Sequence, residues 1–211
     1  MITEPAQLRA LYAAPGERAV RKQLDRLDAH GRRFVALAPF CVIASGGQGG
    51  ALLDASPRGG APGFVTCSED GGTLLLPDSG GNNRLDTLQN LLADPRIALL
   101  FLIPGVDETL RVNGTAQLRD EPEFTGRFAH ERQQPRLVIE VAVREAYLHC
   151  AKAFMRSRLW QPASWGPREA LPAMNQMIHD QIGAGPVTES QAAMVARYRA
   201  QLDGEGTPTA R

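Results

Sequence analysis

Lysine is almost missing from this chain: Lys22 and Lys152 are the only two, and arginine carries the remaining positive charge. Charge of either sign in excess is missing as well, because Lys+Arg and Asp+Glu number 23 each among 211 residues. Without a net field nothing draws the chain to nucleic acid or to an anionic membrane, and neither is an expected partner. Cysteine is scarce. Cys41, Cys67 and Cys150 form no CxxC pair, and an odd number at wide spacing argues against a disulfide scaffold, so a reducing cytoplasm is the expected location. His149 and Cys150 have no further His or Cys at ligand spacing, and no metal site is expected. The longest apolar run, IALLFLI at 97–103, is far short of a membrane span. The opening MITEPAQLRALY has neither a basic start with an apolar core nor a small-residue cleavage site, so no export signal is expected. The patterns G-x-S-x-G, H-E-x-x-H and G-x-x-x-x-G-K-[ST] do not occur, which removes the usual support for hydrolase and nucleotide-kinase chemistry. Asp107 and Glu108 are adjacent in a turn segment, where neighbouring side chains diverge, and read as a solvated loop.

What is present is a chain with 43% hydrophobic residues, enough for one sizeable core, and many short apolar stretches separated by glycine and proline. Two short helices are expected over 5–14 and 17–29, broken at Pro15-Gly16. Strands are expected at 40–45 (FCVIAS) and 51–55 (ALLDA) around the GGQGG turn at 46–50. That turn is no dinucleotide fingerprint, since a strand rather than a helix follows it. A hairpin of 64–67 and 72–76 surrounds Ser68-Glu69-Asp70-Gly71, a short helix follows Asp120 at 121–129, and a long strand covers 136–143 (RLVIEVAV). Short strands, few helices and dense turns point to a mainly β protein, a β-barrel with α decorations, rather than a doubly wound sheet. The polar tail 203–211 is expected to be disordered.

The segment 77–92 (PDSGGNNRLDTLQNLL) carries the clearest functional signal. The strand 72–76 breaks at Pro77, Gly80 and Gly81, and Leu85, Leu88, Leu91 and Leu92 then recur at helical spacing. Asn82 or Asn83 is expected to cap this helix, presenting free backbone N–H groups and the positive end of the dipole beside Arg84, a seat for a phosphate. Asp94-Pro95-Arg96 closes the helix. The apolar run 97–103 reads as a strand buried on both faces, and 109–118 (TLRVNGTAQL) returns as an alternating strand with Leu110 and Val112 on one side and Thr109, Arg111 and Asn113 on the other. Ser56-Pro57-Arg58-Gly59 lies at the end of the second strand, where Pro57 is expected to stop further pairing and Arg58 can turn toward the same anion as Arg84. A final constellation is HCAKAFMRSRLW at 149–160. On a continuous helix Lys152, Arg156 and Trp160 would share one face.

The run NNRLDTLQNLLADPRIALLF followed by ETLRVNGTAQL resembles the central region of the pyridoxamine 5′-phosphate oxidase family, flavin-binding split β-barrels. FVALAPFCVIAS and DASPRGGAPG resemble that family's first helix and hairpin, and HCAKAFMRSRLW resembles the C-terminal segment of a bacterial subgroup of FMN-dependent enzymes. The likeness covers about residues 30–162 and rests on several motifs in the correct order. It implies an N-terminal helical arm at 1–30, an FMN-binding split barrel with a dimer-completing segment at 31–162, and a C-terminal helical extension with a polar tail at 163–211. It further implies an FMN-dependent oxidoreductase acting on a small molecule, working as a homodimer with shared cofactor sites. Ser56, Arg58, Asn82, Asn83 and Arg84 would hold the phosphate, Thr109 would stand near the flavin ring, and Lys152, Arg156 and Trp160 would reach the partner's cofactor. No catalytic residue is assigned. Two departures matter. Thr109 replaces a side-chain amide, and the parent oxidase's C-terminal substrate-binding pattern is not reproduced after Trp160. Two alternatives therefore stay open, an F420-dependent reductase of the same fold and a non-catalytic flavin- or ligand-binding protein.

Overall fold

The structure is a computed structural model and describes residues 1–47, 52–81, 83–129, 134–187 and 189–204. Helices α1 (Pro5–Leu11) and α2 (Glu17–Arg21) form an arm in which no residue is buried. The expected second helix stops early: Leu24 instead pairs with Ala146 as an antiparallel bridge, and Asp28 accepts a hydrogen bond from the Gly31 N–H at 2.7 Å to start a separate helix, α3 (Ala29–Leu37). The bridge to Ala146 and an N-cap at Asp28 thus split the segment, against the helix propensity of Leu24.

The sheet is built from β1 (Phe40–Gly46), β2 (Leu53–Gly59), β3 (Thr66–Cys67), β4 (Thr73–Pro77), β5 (Arg96–Leu102), β6 (Thr109–Arg119) and β7 (Val138–His149). The seven strands are ordered β2-β1-β5-β6-β7-β4-β3, with every pairing antiparallel. Helix α4 (Asp86–Ala93) lies between β4 and β5, and α5 (Pro122–Thr125) between β6 and β7. Alternation along each strand sends Cys41 and Ile43, Leu99 and Phe101, Leu110 and Val112, and Leu74 and Leu76 into one core. Leu75, on the other side of β4, joins Phe124, Phe128 and Val138 in a smaller cluster. The expected mainly β class is corrected to a mixed one: a seven-stranded antiparallel sheet is the frame, but the segments before β1 and after β7 fold as helices rather than as minor decoration.

Several expectations are corrected. The strand at 97–103 is covered on one face only in the single chain: Ile97, Leu99 and Phe101 are buried, whereas Ala98, Leu100 and Leu102 are half-buried. Pro57 does not end β2, which pairs with β1 as far as Gly59. As an edge strand β2 needs N–H donors toward β1 only at alternate residues, so a proline whose missing donor faces the free side is tolerated. The last long strand runs on to His149, six residues past the expected end at 143. The helix expected after Asp120 begins from Glu121, with proline at its first position. Most of the GGQGG turn and residues 205–211 lie outside the described residues. Beyond β7 come α6 (Lys152–Ser157), α7 (Met174–Ile182) and α8 (Gln191–Gly204). Among the described residues no helix is long and apolar enough to cross a membrane.

Candidate functional site

The alternation of β2 places Asp54, Ser56 and Arg58 on its core-facing side, each half-buried, while Leu53, Ala55 and Pro57 face outward. Because β2 is the sheet edge, this polar rail lines the mouth of the core instead of being packed over. Arg58 Nη1 donates to Ser56 Oγ at 2.5 Å and to the Pro57 carbonyl at 2.9 Å, which holds the guanidinium along the strand. Across the mouth lies the start of α4. Thr87 Oγ1 donates to Asp54 Oδ2 at 3.5 Å, and the Asn90 amide donates to the buried Ser45 hydroxyl of β1 at 3.2 Å, so α4 is tied to both strands.

The turn into α4 differs from the expected cap. The residue preceding the helix is Leu85, at φ 61°, and no side chain caps the first turn. Asn83 sits two residues before the cap position, also left-handed at φ 60°. Asparagine tolerates that region, but leucine rarely adopts it. Two left-handed residues flanking Arg84 turn the chain sharply enough to postpone the helix to Asp86, and Leu85 at the cap position has no side-chain acceptor to offer the N-terminal N–H groups. Asn82 lies outside the described residues. Arg84 Nε donates to Asp86 Oδ2 at 2.6 Å, and that carboxylate raises the guanidinium's already high pKa, with Asp54 adding to the effect.

Asp78, one residue past β4, completes the cleft. Burial pushes its carboxyl above the usual range, and the charge of Arg58 partly pulls it back. Burial likewise pushes the Cys41 thiol, paired in register with Arg58, up to about 12 against the same guanidinium. The structure thus gathers Ser56 and Arg58 on one wall and Arg84 with the α4 N-terminus on the other, with Asp54, Asp78 and Asp86 among them. The three carboxylates and Thr87 were not singled out from sequence. The D-x-S-x-R alternation of β2 would have flagged Asp54.

The remaining candidates stand elsewhere. Thr109 begins β6 opposite His149 and is buried, 4% exposed. Lys152 and Arg156 are exposed one turn apart on α6. Trp160 does not share their face, since α6 ends at Ser157 and Arg158 turns left-handed at φ 52°. Its indole N–H instead donates to the Val106 carbonyl at 3.0 Å in the β5–β6 turn, and its ring stacks on Phe154 at 5.6 Å. No cluster of three or more His, Cys, Asp or Glu able to hold a metal ion occurs among the described residues.

An antiparallel β-sheet protein with one core and a polar, arginine-bearing cleft between an edge strand and a helix start is the class these features define. The chain belongs to the pyridoxamine 5′-phosphate oxidase family, whose sequence profile matches residues 27–150. That span takes in β1 to β7 and the cleft, and the split-barrel fold follows from it. A search of curated protein sequences finds no match. Among solved structures, HupZ of Group A Streptococcus is 14% identical, with a TM-score of 0.46 over 57% of this chain and 91% of HupZ. A NimC/NimA family protein from Clostridium acetobutylicum is 12% identical, with a TM-score of 0.41 over 58% of this chain and 87% of that one. General stress protein 26 of Bacillus anthracis is 8% identical, with a TM-score of 0.40 over 56% of this chain and 93% of that one. Similarity at this level adds no argument to the family match.

Proposed function

We propose that the protein is a homodimeric FMN-dependent oxidoreductase whose cleft between β2 and α4 holds the cofactor's phosphate. The observation that carries this reading is the Ser56/Arg58 pair on the cleft-facing side of β2, opposite Arg84 and a helix start with no side-chain cap. A phosphate ester matches that donor set. Forked guanidinium donors, a hydroxyl and backbone N–H groups are the donor types that nonbridging phosphate oxygens take. Three carboxylates nearby temper the field, and the pairings they make must be exchanged when the anion enters. For Arg84 that exchange costs little, because its side chain is 72% exposed and water screens the pair with Asp86.

FMN would supply the electron transfer, and the chain's own residues would position it and shape its surroundings. Thr109, buried at the head of β6, offers a hydroxyl or its backbone to the ring in place of an amide. The outward face of β1 and β5, with Val42, Leu100 and Leu102 half-buried and uncovered in the single chain, fits a second copy. In that dimer the exposed Lys152 and Arg156 would face the partner's ring, where positive charge stabilises reduced flavin. Trp160 would support them indirectly, by fixing the segment to the β5–β6 turn.

The test is to purify the protein, record its absorption and identify by mass whatever denaturation releases. Released FMN supports the reading, a deazaflavin redirects it to F420 chemistry, and failure of the stripped protein to bind added FMN overturns it. In a flavin titration Arg58→Ala should weaken FMN binding by about 1.5–3 kcal/mol, the range for hydrogen bonds to charged groups. Reduction by NAD(P)H, then reoxidation under a panel of acceptors, separates turnover from storage.

A further inference from the structure

A second concavity lies beneath the N-terminal arm, at the end of the sheet where β6 begins and β7 ends. It is a cavity of about 790 Å³ roofed by residues 16–28 of the arm and floored by the ends of β6 and β7. That volume is within the range of sites for small organic molecules. Its floor is apolar: Leu110, Ala146 and Leu148 lie on the core-facing side of the sheet, paired as Leu110↔Leu148 and Val112↔Ala146, whereas Thr109 and Arg111 face the other way. Leu24 and Leu27 supply the apolar part of the roof.

The polar groups are arranged differently. Arg18 and Lys22 stand four residues apart, the first within α2 and the second capping its C-terminus, and both line the cavity with Arg26. Lys22 Nζ donates to the Leu148 carbonyl at 2.7 Å and lies over the Tyr147 ring. An ammonium has three donors, so that bond leaves others for a ligand. The carboxylates in the lining are Asp28 and Glu108. Asp28 is already committed to capping α3. Arg26 is paired with Asp25 at 3.3 Å, so the cations left to face a ligand are Arg18 and Lys22, against Glu108.

The roof is attached at few points. Leu24 bonds reciprocally with Ala146 at 3.0 and 2.8 Å, and the Leu27 N–H donates to the Gly71 carbonyl at 2.9 Å. Neither α1 nor α2 buries a residue. The apolar surface still open to water there belongs to Leu24 in the roof and Leu148 in the floor, and an apolar group placed between them would cover both.

We propose that this cavity is a binding site for a singly charged amphipathic carboxylate, with its apolar body against Leu110, Ala146 and Leu27 and its head between Arg18 and Lys22. None of these lining residues belongs to the phosphate seat, and the proposal does not rest on the flavin reading. Its occupancy would hold the arm against the open edge of β7.

Dodecanoate, titrated calorimetrically below its micellar concentration, is the probe. One dodecanoate per chain is expected, with dodecyltrimethylammonium, the same tail under opposite charge, weaker by about tenfold or more. Ala19→Trp fills the cavity from an exposed position of α2, so it should lower dodecanoate affinity by about tenfold while the thermal melt and FMN binding match wild type. Arg18→Ala should weaken dodecanoate and leave the cationic amphiphile unchanged. The proposal is overturned by no saturable dodecanoate binding, by equal binding of the two amphiphiles, or by full dodecanoate affinity in Ala19→Trp. Failure of the wild-type protein to bind FMN, with dodecanoate binding intact, would count against the flavin reading alone.

Discussion

Asp78 and Arg58 set the character of the cleft residue by residue. Burial raises the Asp78 pKa, so the folded chain holds that proton more tightly than the unfolded one. The sign follows: between the ordinary aspartate value and the raised one, stability falls as pH rises, because ionisation then costs more in the folded state. Asp78→Asn should remove that part of the pH dependence in thermal melts. It should also tighten FMN binding several-fold by leaving Arg58 uncompensated, and unchanged FMN affinity would separate Asp78 from the phosphate seat. The cysteines give a second expectation at this scale. Burial pushes Cys41 up to about 12 and Cys67 up to about 11, whereas Cys150 is exposed. Thiolate is the reactive form, so limited alkylation of the native protein followed by peptide mass analysis should find the label on Cys150 first.

Among the elements, the contact between arm and sheet depends on one glycine. Gly71 turns β3 into β4 at φ +75°, and a Cβ there would lie 2.0 Å from the Leu27 carbonyl oxygen. Left-handed strain and a backbone clash coincide, and neither atom is the end of a flexible side chain. Gly71→Ala should therefore destabilise the fold by about 1–3 kcal/mol, read as a lower urea midpoint. A midpoint within error of wild type would mean that the arm does not dock on this turn. Trp160 plays the comparable part at the opposite end, joining the segment after α6 to the β5–β6 turn through its bond to Val106. Trp160→Phe keeps the stacking surface toward Phe154 and removes that one bond. It should raise hydrogen exchange around Val106 with little effect on FMN affinity, and a large loss of affinity would show that the indole touches the cofactor directly.

For the whole molecule the decisive quantity is the uncovered outward face of β1 and β5. Half-buried Val42, Leu100 and Leu102 on one sheet face make a poor solvent surface and a reasonable self-complementary one. Sedimentation should report twice the 22.8 kDa chain mass. Leu100→Glu places a charge on that face and should yield monomers with weakened FMN binding; monomers with wild-type affinity would refute the shared site.

Much of this was readable without a structure because it depends on local chemistry. Alternation placed Leu110 and Val112 inward, glycine at 71 marked the hairpin, Asp94-Pro95 ended α4, and the order of motifs indicated the family. Arg58 and Arg84 were also legible as candidates, since arginine next to turn residues at strand and helix ends has few structural duties. What sequence could not supply was anything settled by a partner distant along the chain. Leu24 became a bridge because Ala146 offered an open edge, and Pro57 stayed within β2 because only one side of an edge strand needs donors. Trp160 left the expected helical face for the Val106 carbonyl, and Asp54 and Asp78 joined the arginines only when β2, β4 and α4 met. Periodicity and turn chemistry act over a few residues and are written in order along the chain; pairing across a sheet, and the charges it brings together, exist only once the chain has folded back on itself.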